Sequence, residues 1–234
     1  MTAPRFRAPP RPPLTRTVVP CFRAGAALAR AGALAACLLG GAARADTLAV
    51  KVSDQGNRPL ADAVVMAIPA RPAPPARPGK VAIEQKDREF LPFVTAVQVG
   101  TSVTFPNRDP LLHHVYSFSP AKTFEIKLYA NASPDVLFDK PGPVALGCNI
   151  HDWMEAHIYV APTPYFGKTD AQGAARIRLP AGAYTLELWH PYQNAALPGA
   201  AVSVAGTLSQ ALQLPVTVPQ RKVKRPLDPS QYGG

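Results

Sequence analysis

Seven residues in the second half of the chain, Cys148-Asn149-Ile150-His151-Asp152-Trp153-Met154, set a thiol, an imidazole and a thioether at C-x2-H-x2-M spacing. Upstream, Asn107-Arg108-Asp109-Pro110-Leu111-Leu112-His113-His114 offers further imidazoles. Two imidazoles and a thiolate around one ion, with a weak thioether on the axis, form the ligand set of type 1 (blue) copper, which exchanges single electrons. Zinc suits the set less well, because structural zinc takes several thiolates, or imidazoles, without methionine. A solitary Cys or Met is ordinarily core packing. The coincidence of Cys148, His151 and Met154 at this spacing, with a histidine on a preceding strand, is what points to a metal.

Such ligands need a rigid frame. Nothing in the chain reads as a long amphipathic helix; short runs rich in Val, Ile, Phe and Tyr alternate with Pro, Gly, Asn and Asp. That is the pattern of an all-β sandwich. The runs begin at 48–52, 63–68, 81–84, 94–99 and 102–105, and continue at 114–118, 124–129, 136–138, 144–148 and 157–160. The last are 174–179, 184–189, 201–204 and 208–214. The 144–148 run delivers Cys148, a turn carries His151, and Met154 opens the next strand, so one loop at one end of a sandwich supplies three ligands. Period-two alternation puts His113, Val115 and Ser117 on one strand face and His114, Tyr116 and Phe118 on the other.

Residues 1–45 read as a leader. They carry seven arginines and no acid, then an apolar run over 31–42 and the small-x-small triplet Ala43-Arg44-Ala45 before Asp46. The apolar run is shorter than the about 20 residues a membrane span needs. Leu34-Ala35-Ala36-Cys37 offers a lipoprotein alternative, but the apolar run continues past Cys37 and favours ordinary cleavage and a periplasmic protein without a membrane span. Cleavage would take the net charge from +10 to about +3, which removes the case for nucleic-acid binding. It would also remove Cys21 and Cys37, two of the three cysteines, and leave Cys148 alone in an oxidising compartment. No Ser-His-Asp arrangement, paired-carboxylate signature or phosphate-binding glycine loop stands out, so no enzyme is expected.

Residues 80–161 resemble a cupredoxin. The seven-residue ligand loop has the short amicyanin length, and Asn107-Arg108-Asp109-x3-His113 resembles the amicyanin N-R-E-x3-H segment. The strings His113-His114-Val115-Tyr116-Ser117-Phe118 and Gly147-Cys148-Asn149-Ile150-His151-Asp152-Trp153-Met154 are similar to those of periplasmic methylamine-utilisation cupredoxin-like proteins. The resemblance implies a Greek-key sandwich with one type 1 copper held by His113, Cys148 and His151, with Met154 axial. It implies that Asn107 ties the ligand loops together by hydrogen bonds. His114 departs from the family pattern and stands as an alternative first ligand, although the six-residue offset from Asn107 favours His113. The implied partners are redox proteins, a quinoprotein dehydrogenase as donor and a cytochrome c as acceptor, with the His151 edge exposed as the exit port.

The flanks resemble the two halves of a carboxypeptidase-regulatory-like (transthyretin-like) sandwich. Asp54-Gln55-Gly56-Asn57 with Pro59-Leu60 matches its opening; Thr169-Asp170-Ala171-Gln172-Gly173 and Leu179-Pro180-Ala181-Gly182-Ala183-Tyr184 match its close. The expected organisation is a leader 1–45, a first half-sandwich 46–68, a Pro-rich linker 69–79, a cupredoxin domain 80–162, a second half-sandwich 163–218 and a disordered tail 219–234. The alternative is a pair of unrelated extensions. Two functions compete: an electron carrier, and a binding or assembly accessory in which copper is structural or passed to a partner. His157 is expected at the surface or at a domain contact, and His190 as a surface or capping residue.

Overall fold

Leu48, Val50 and Val52 recur at every second position and bury one face of β1 (Asp46–Ser53). The computed structural model describes residues 46–74 and 79–219. The expected leader, residues 75–78 and the tail from 220 onward lie outside them. All regular structure described is β. β1 pairs antiparallel with β14 (Ala174–Leu179) and parallel with β17 (Thr207–Gln213). A second sheet runs β13 (Phe166–Lys168), β2 (Val64–Pro69), β15 (Gly182–Trp189), β16 (Ala200–Val204). Leu48, Val50, Val65, Ile177, Leu186 and Val204 form one core between these two sheets, so both flanks of the chain close a single sandwich.

The two turn motifs that the sequence singles out meet each other. Gly173 sits at φ 68° with its Cα against β1: a Cβ there would lie 2.3 Å from the Val52 carbonyl oxygen. The Val52 N–H donates to the Gly173 carbonyl at 2.8 Å, and the Thr169 hydroxyl donates to the Leu60 carbonyl at 2.7 Å while accepting from the Ala63 N–H at 2.9 Å. Asp54 and Asp170 each fold back onto backbone N–H groups two and four residues on, which is the ordinary work of Asp in turns.

Between the flanks lie two further sheets. One is β10 (Val136–Phe138), β7 (Thr101–Thr104), β3 (Lys80–Ala82). The other is β6 (Val94–Gln98), β12 (Glu155–Ala161), β11 (Gly142–Gly147), β8 (His113–Ser119), β9 (Lys122–Tyr129). They share a separate core that includes Phe105, Val115, Phe138, Val144 and Ile158. A two-residue turn joins β4 (Glu84–Lys86) to β5 (Glu89–Leu91) in a hairpin at the same end as the ligand loop.

Three differences from the sequence reading have local causes. The run at 81–84 is divided at Ile83 between β3 and β4: the Ile83 and Gln85 N–H groups still follow the β7 chain, donating to Thr104 and Pro106, while Glu84–Lys86 turn to pair with β5. β5 and β13 are too short to show a period. Pro69 is the last residue of β2 and not the first of the linker, and Ala70 still donates to the Ala183 carbonyl at 3.0 Å.

The two sandwiches abut through Val64, Met66 and Trp189 on one side and Phe93, Val94 and Ala161 on the other. His157 lies in that seam as a domain contact, its ring 5.2 Å from Phe93 and 6.2 Å from Trp189. His190, expected as a surface or capping residue, is buried and caps: its Nδ1 accepts from the Tyr192 N–H at 3.3 Å and fixes the turn after β15 from within.

Candidate metal centre

β11 ends at Gly147 because the chain must turn there, and Cys148, His151 and Met154 follow in the loop to β12. The Met154 N–H donates to the His151 carbonyl at 2.9 Å and closes the loop. β8 brings His113 alongside, with a register irregularity between His113 and Val115 that lets both neighbouring histidines be buried. One ligand atom each from His113, Cys148 and His151 lies within 4.8 Å of the others, and all three residues are buried. Cys148 Sγ is 4.0 Å from His151 Nδ1. Met154 is buried in the same core as Cys148. Cys148 is the only cysteine among the described residues and is unpaired.

His114 goes elsewhere. Its Nε2 meets the Glu125 carboxylate at 2.8 Å on the other face of β8, and it does not belong to the three-residue cluster. Asn107 holds the loop before β8: its Nδ2 donates to the carbonyls of Leu111 at 2.6 Å and Tyr129 at 3.1 Å, and its Oδ1 accepts from the Asp109 N–H at 2.9 Å.

Asp109 is the residue sequence reasoning underrated. Its carboxylate meets His113 Nε2 at 2.8 Å, which leaves the buried Nδ1 of His113 without a hydrogen bond. An imidazole oriented by a carboxylate through one nitrogen, with the other bare, is the usual arrangement of a metal-ligating histidine. The signal was present as the Asp-x3-His spacing.

The electrostatics favour the ligating forms of Cys148 and His151, while His113, beside two acidic groups, holds its proton more firmly until an ion displaces it. Burial works against ionisation of Cys148, but the adjacent His113 imidazole and the backbone amides of His114 and Ile150 outweigh it and bring the thiol below its usual pKa. Burial likewise works against a charge on His113, yet Cys148 and Asp109 beside it raise its pKa. His151 is pushed down, first by burial and then by the charges of His113 and Arg88, so its imidazole is held neutral. Tyr129 is pushed up to about 12, chiefly by burial; its hydroxyl donates to the Phe105 carbonyl and meets the Gln85 amide. A thiol inclined to ionise, one neutral imidazole and one bare imidazole nitrogen, all dry, make a donor set that fits copper.

The exit port expected at His151 is not there. His151 is 0% exposed. Trp153 covers it, with ring centroids 5.2 Å apart, and the Trp153 indole N–H donates to the Arg88 carbonyl at 3.2 Å. The cover is supplied by the ligand loop itself, and the β4–β5 hairpin, far away in sequence, fastens it through Arg88.

Among the described residues no helix is long and apolar enough to cross a membrane. No protein-family model matches the chain, and no curated protein matches it. Among solved structures it is similar to a purple cupredoxin from Nitrosopumilus maritimus, at 20% identity and a TM-score of 0.31, over 35% of this chain and 99% of that one. It is similar to a Sinorhizobium pseudoazurin, at 22% identity and a TM-score of 0.32, over 37% of this chain and 76% of that one. A reduced amicyanin variant is similar at 19% identity and a TM-score of 0.32, over 35% of this chain and 81% of that one.

Proposed function

We propose that this chain is a periplasmic electron carrier that holds one type 1 copper ion through His113, Cys148 and His151, with Met154 as the axial donor. The observation that carries this reading is the buried trio of ligand atoms, each within 4.8 Å of the others, in surroundings that favour the thiolate. When bound, copper supplies reversible one-electron exchange between Cu(II) and Cu(I). The protein's own work is to orient and exclude: Asp109 fixes the His113 ring, the β8–β11–β12 frame fixes the loop, and Trp153 keeps water from His151. Ligands held by a sandwich rather than by the ion change little between oxidation states, which is what a fast carrier requires.

We place the copper-bearing domain at 80–162, inserted between the half-sandwiches 46–68 and 163–218. The donor and acceptor are redox proteins; following the resemblance, these are a quinoprotein dehydrogenase and a cytochrome c in methylamine oxidation. Protein loaded with Cu(II) alone is expected to turn blue, with a thiolate-to-copper band at about 600 nm, and Cys148→Ser is expected to abolish it. A colourless protein would sink the reading.

A further inference from the structure

The turn of the β4–β5 hairpin is Asp87-Arg88, and both residues adopt left-handed backbone angles, φ 55° and 59°. Such angles are those of a two-residue hairpin turn, which Asp87 adopts readily, and Arg88, where glycine is favoured, carries the strain of the turn. Asp109 holds it. The Asp87 N–H donates to Asp109 Oδ1 at 2.7 Å and the Arg88 N–H to Oδ2 at 2.9 Å, and that same Oδ2 meets His113 Nε2 at 2.8 Å. One carboxylate therefore fastens the hairpin tip and orients a ligand.

The tip completes a stack. His113 and His151 rings lie 5.1 Å apart, His151 and Trp153 rings 5.2 Å apart, and the Arg88 guanidinium sits 5.8 Å from the Trp153 ring centre. The indole N–H on the Arg88 carbonyl is a second fastening. The hairpin's base is anchored differently: Gln85 and Phe90 are buried in the core, and the Arg108–Glu84 ion pair at 3.1 Å lies on the surface. The tip is held by polar contacts, among them those to Asp109 and Trp153, while the base is held by apolar burial. Local opening draws on elements with few buried apolar contacts.

We propose that the β4–β5 hairpin is a latched strap over the metal end, with Asp109 and Trp153 as its two latches, and that a copper ion reaches His113, Cys148 and His151 only when the tip lifts. The proposal rests on the copper reading for its ligand, but its mechanics are those of the metal-free chain. All three ligand residues are buried, and His113 and His151 belong to this stack, so the same opening that admits an ion admits a small thiol reagent to Cys148.

The test is alkylation of Cys148 by iodoacetamide in metal-free protein carrying Cys21→Ser and Cys37→Ser, followed as a function of pH. The plateau rate at high pH, where the thiol is ionised, reports access; the midpoint reports the influence of His113 on ionisation. Asp109→Ala is expected to raise the plateau about tenfold and to strip hydrogen-exchange protection from the amides of Asp87 and Arg88. Cu(II) uptake by stopped-flow absorbance should accelerate in parallel. A shifted midpoint with an unchanged plateau overturns the strap, because Asp109 then acts only through His113. Faster amide exchange without faster alkylation overturns it as well. If Asp109→Ala does not fold, Trp153→Phe removes only the indole N–H latch and is expected to raise the plateau about threefold; no change there overturns the proposal. Faster alkylation in a protein that never turns blue with Cu(II) would uphold the strap and sink the copper reading. A blue protein with an indifferent plateau would do the reverse.

Discussion

The ring of Tyr116 occupies the space where a side chain at Gly147 would stand: a Cβ on Gly147 would lie 2.6 Å from Tyr116 Cζ. The two residues are register partners across β8 and β11, one position before Cys148. Gly147→Ala must push the ring tip aside, and a half-exposed ring tip can move. Gly173→Ala meets the Val52 carbonyl at 2.3 Å from a left-handed backbone, and neither can move cheaply. Urea unfolding is expected to show Gly147→Ala costing about 1 kcal/mol and Gly173→Ala about 3 kcal/mol or more. Equal costs would mean that the Gly173 contact between the flanks is not tight.

The seam between the sandwiches is expected to weaken in acid. Burial depresses the pKa of His157, partly offset by the Glu155 carboxylate, with a smaller push in the same direction as burial from His190; burial likewise depresses that of His190. The unfolded chain protonates these rings near the ordinary value of 6.5, before the native one does. Their contribution is therefore full above that value and is lost as pH falls through the native pKa values. His113 is shifted the other way: its contribution grows as pH falls toward 6.5 and is full below it, so it opposes the loss above that value and is constant below. Metal-free protein should lose stability to urea as pH falls from 6.5 to about 5, and His157→Gln should flatten that slope.

Nicking the chain in the Pro-rich stretch after Pro69 is expected to leave the flanks together. β1 lies between β14 and β17, and β2 between β13 and β15, so residues 46–68 are central to both sheets of the flanking sandwich. Native gel filtration after limited proteolysis should find the 46–68 peptide travelling with 165–218. Its release without denaturant would defeat the nested organisation.

How much of this was legible depended on distance along the chain. The longer strands announced themselves through period two, as in Leu48-x-Val50-x-Val52 and Ala175-x-Ile177-x-Leu179. β5 and β13, three residues each, carry no period to read. Cys148, His151 and Met154 were readable because one loop holds them. The burial of His151 was only half readable: Trp153 stands beside it in the loop as a candidate screen, but Arg88, which fastens that ring, is delivered by a hairpin distant in sequence. The second role of Asp109 was hidden for the same reason: its amide partners Asp87 and Arg88 lie 22 and 21 residues upstream.

His113 and His114 provide the sharpest discrimination at the site. His113 and His114 each carry a buried Nδ1 without a hydrogen bond, but His113 clusters with Cys148 and His151, whereas His114 is turned to Glu125 and meets Cys148 through its backbone amide. His113→Ala removes an imidazole from the metal plane and also leaves the Asp109 carboxylate without one of its partners. Copper affinity should then fall by about a hundredfold or more, the upper range for disturbing even a supporting partner of a metal ligand, with the blue band lost or strongly altered. His114→Ala keeps the amide and all proposed ligands. It should bind copper with the parental colour and lose about 2 kcal/mol or more of stability, because a buried ring is removed while the carboxylate it abandons is half exposed and readily hydrated. Titration with Cu(II) followed by absorbance and electron paramagnetic resonance checks both. A His114→Ala protein that loses its colour while His113→Ala keeps it would reverse the assignment and take the role given to Asp109 with it.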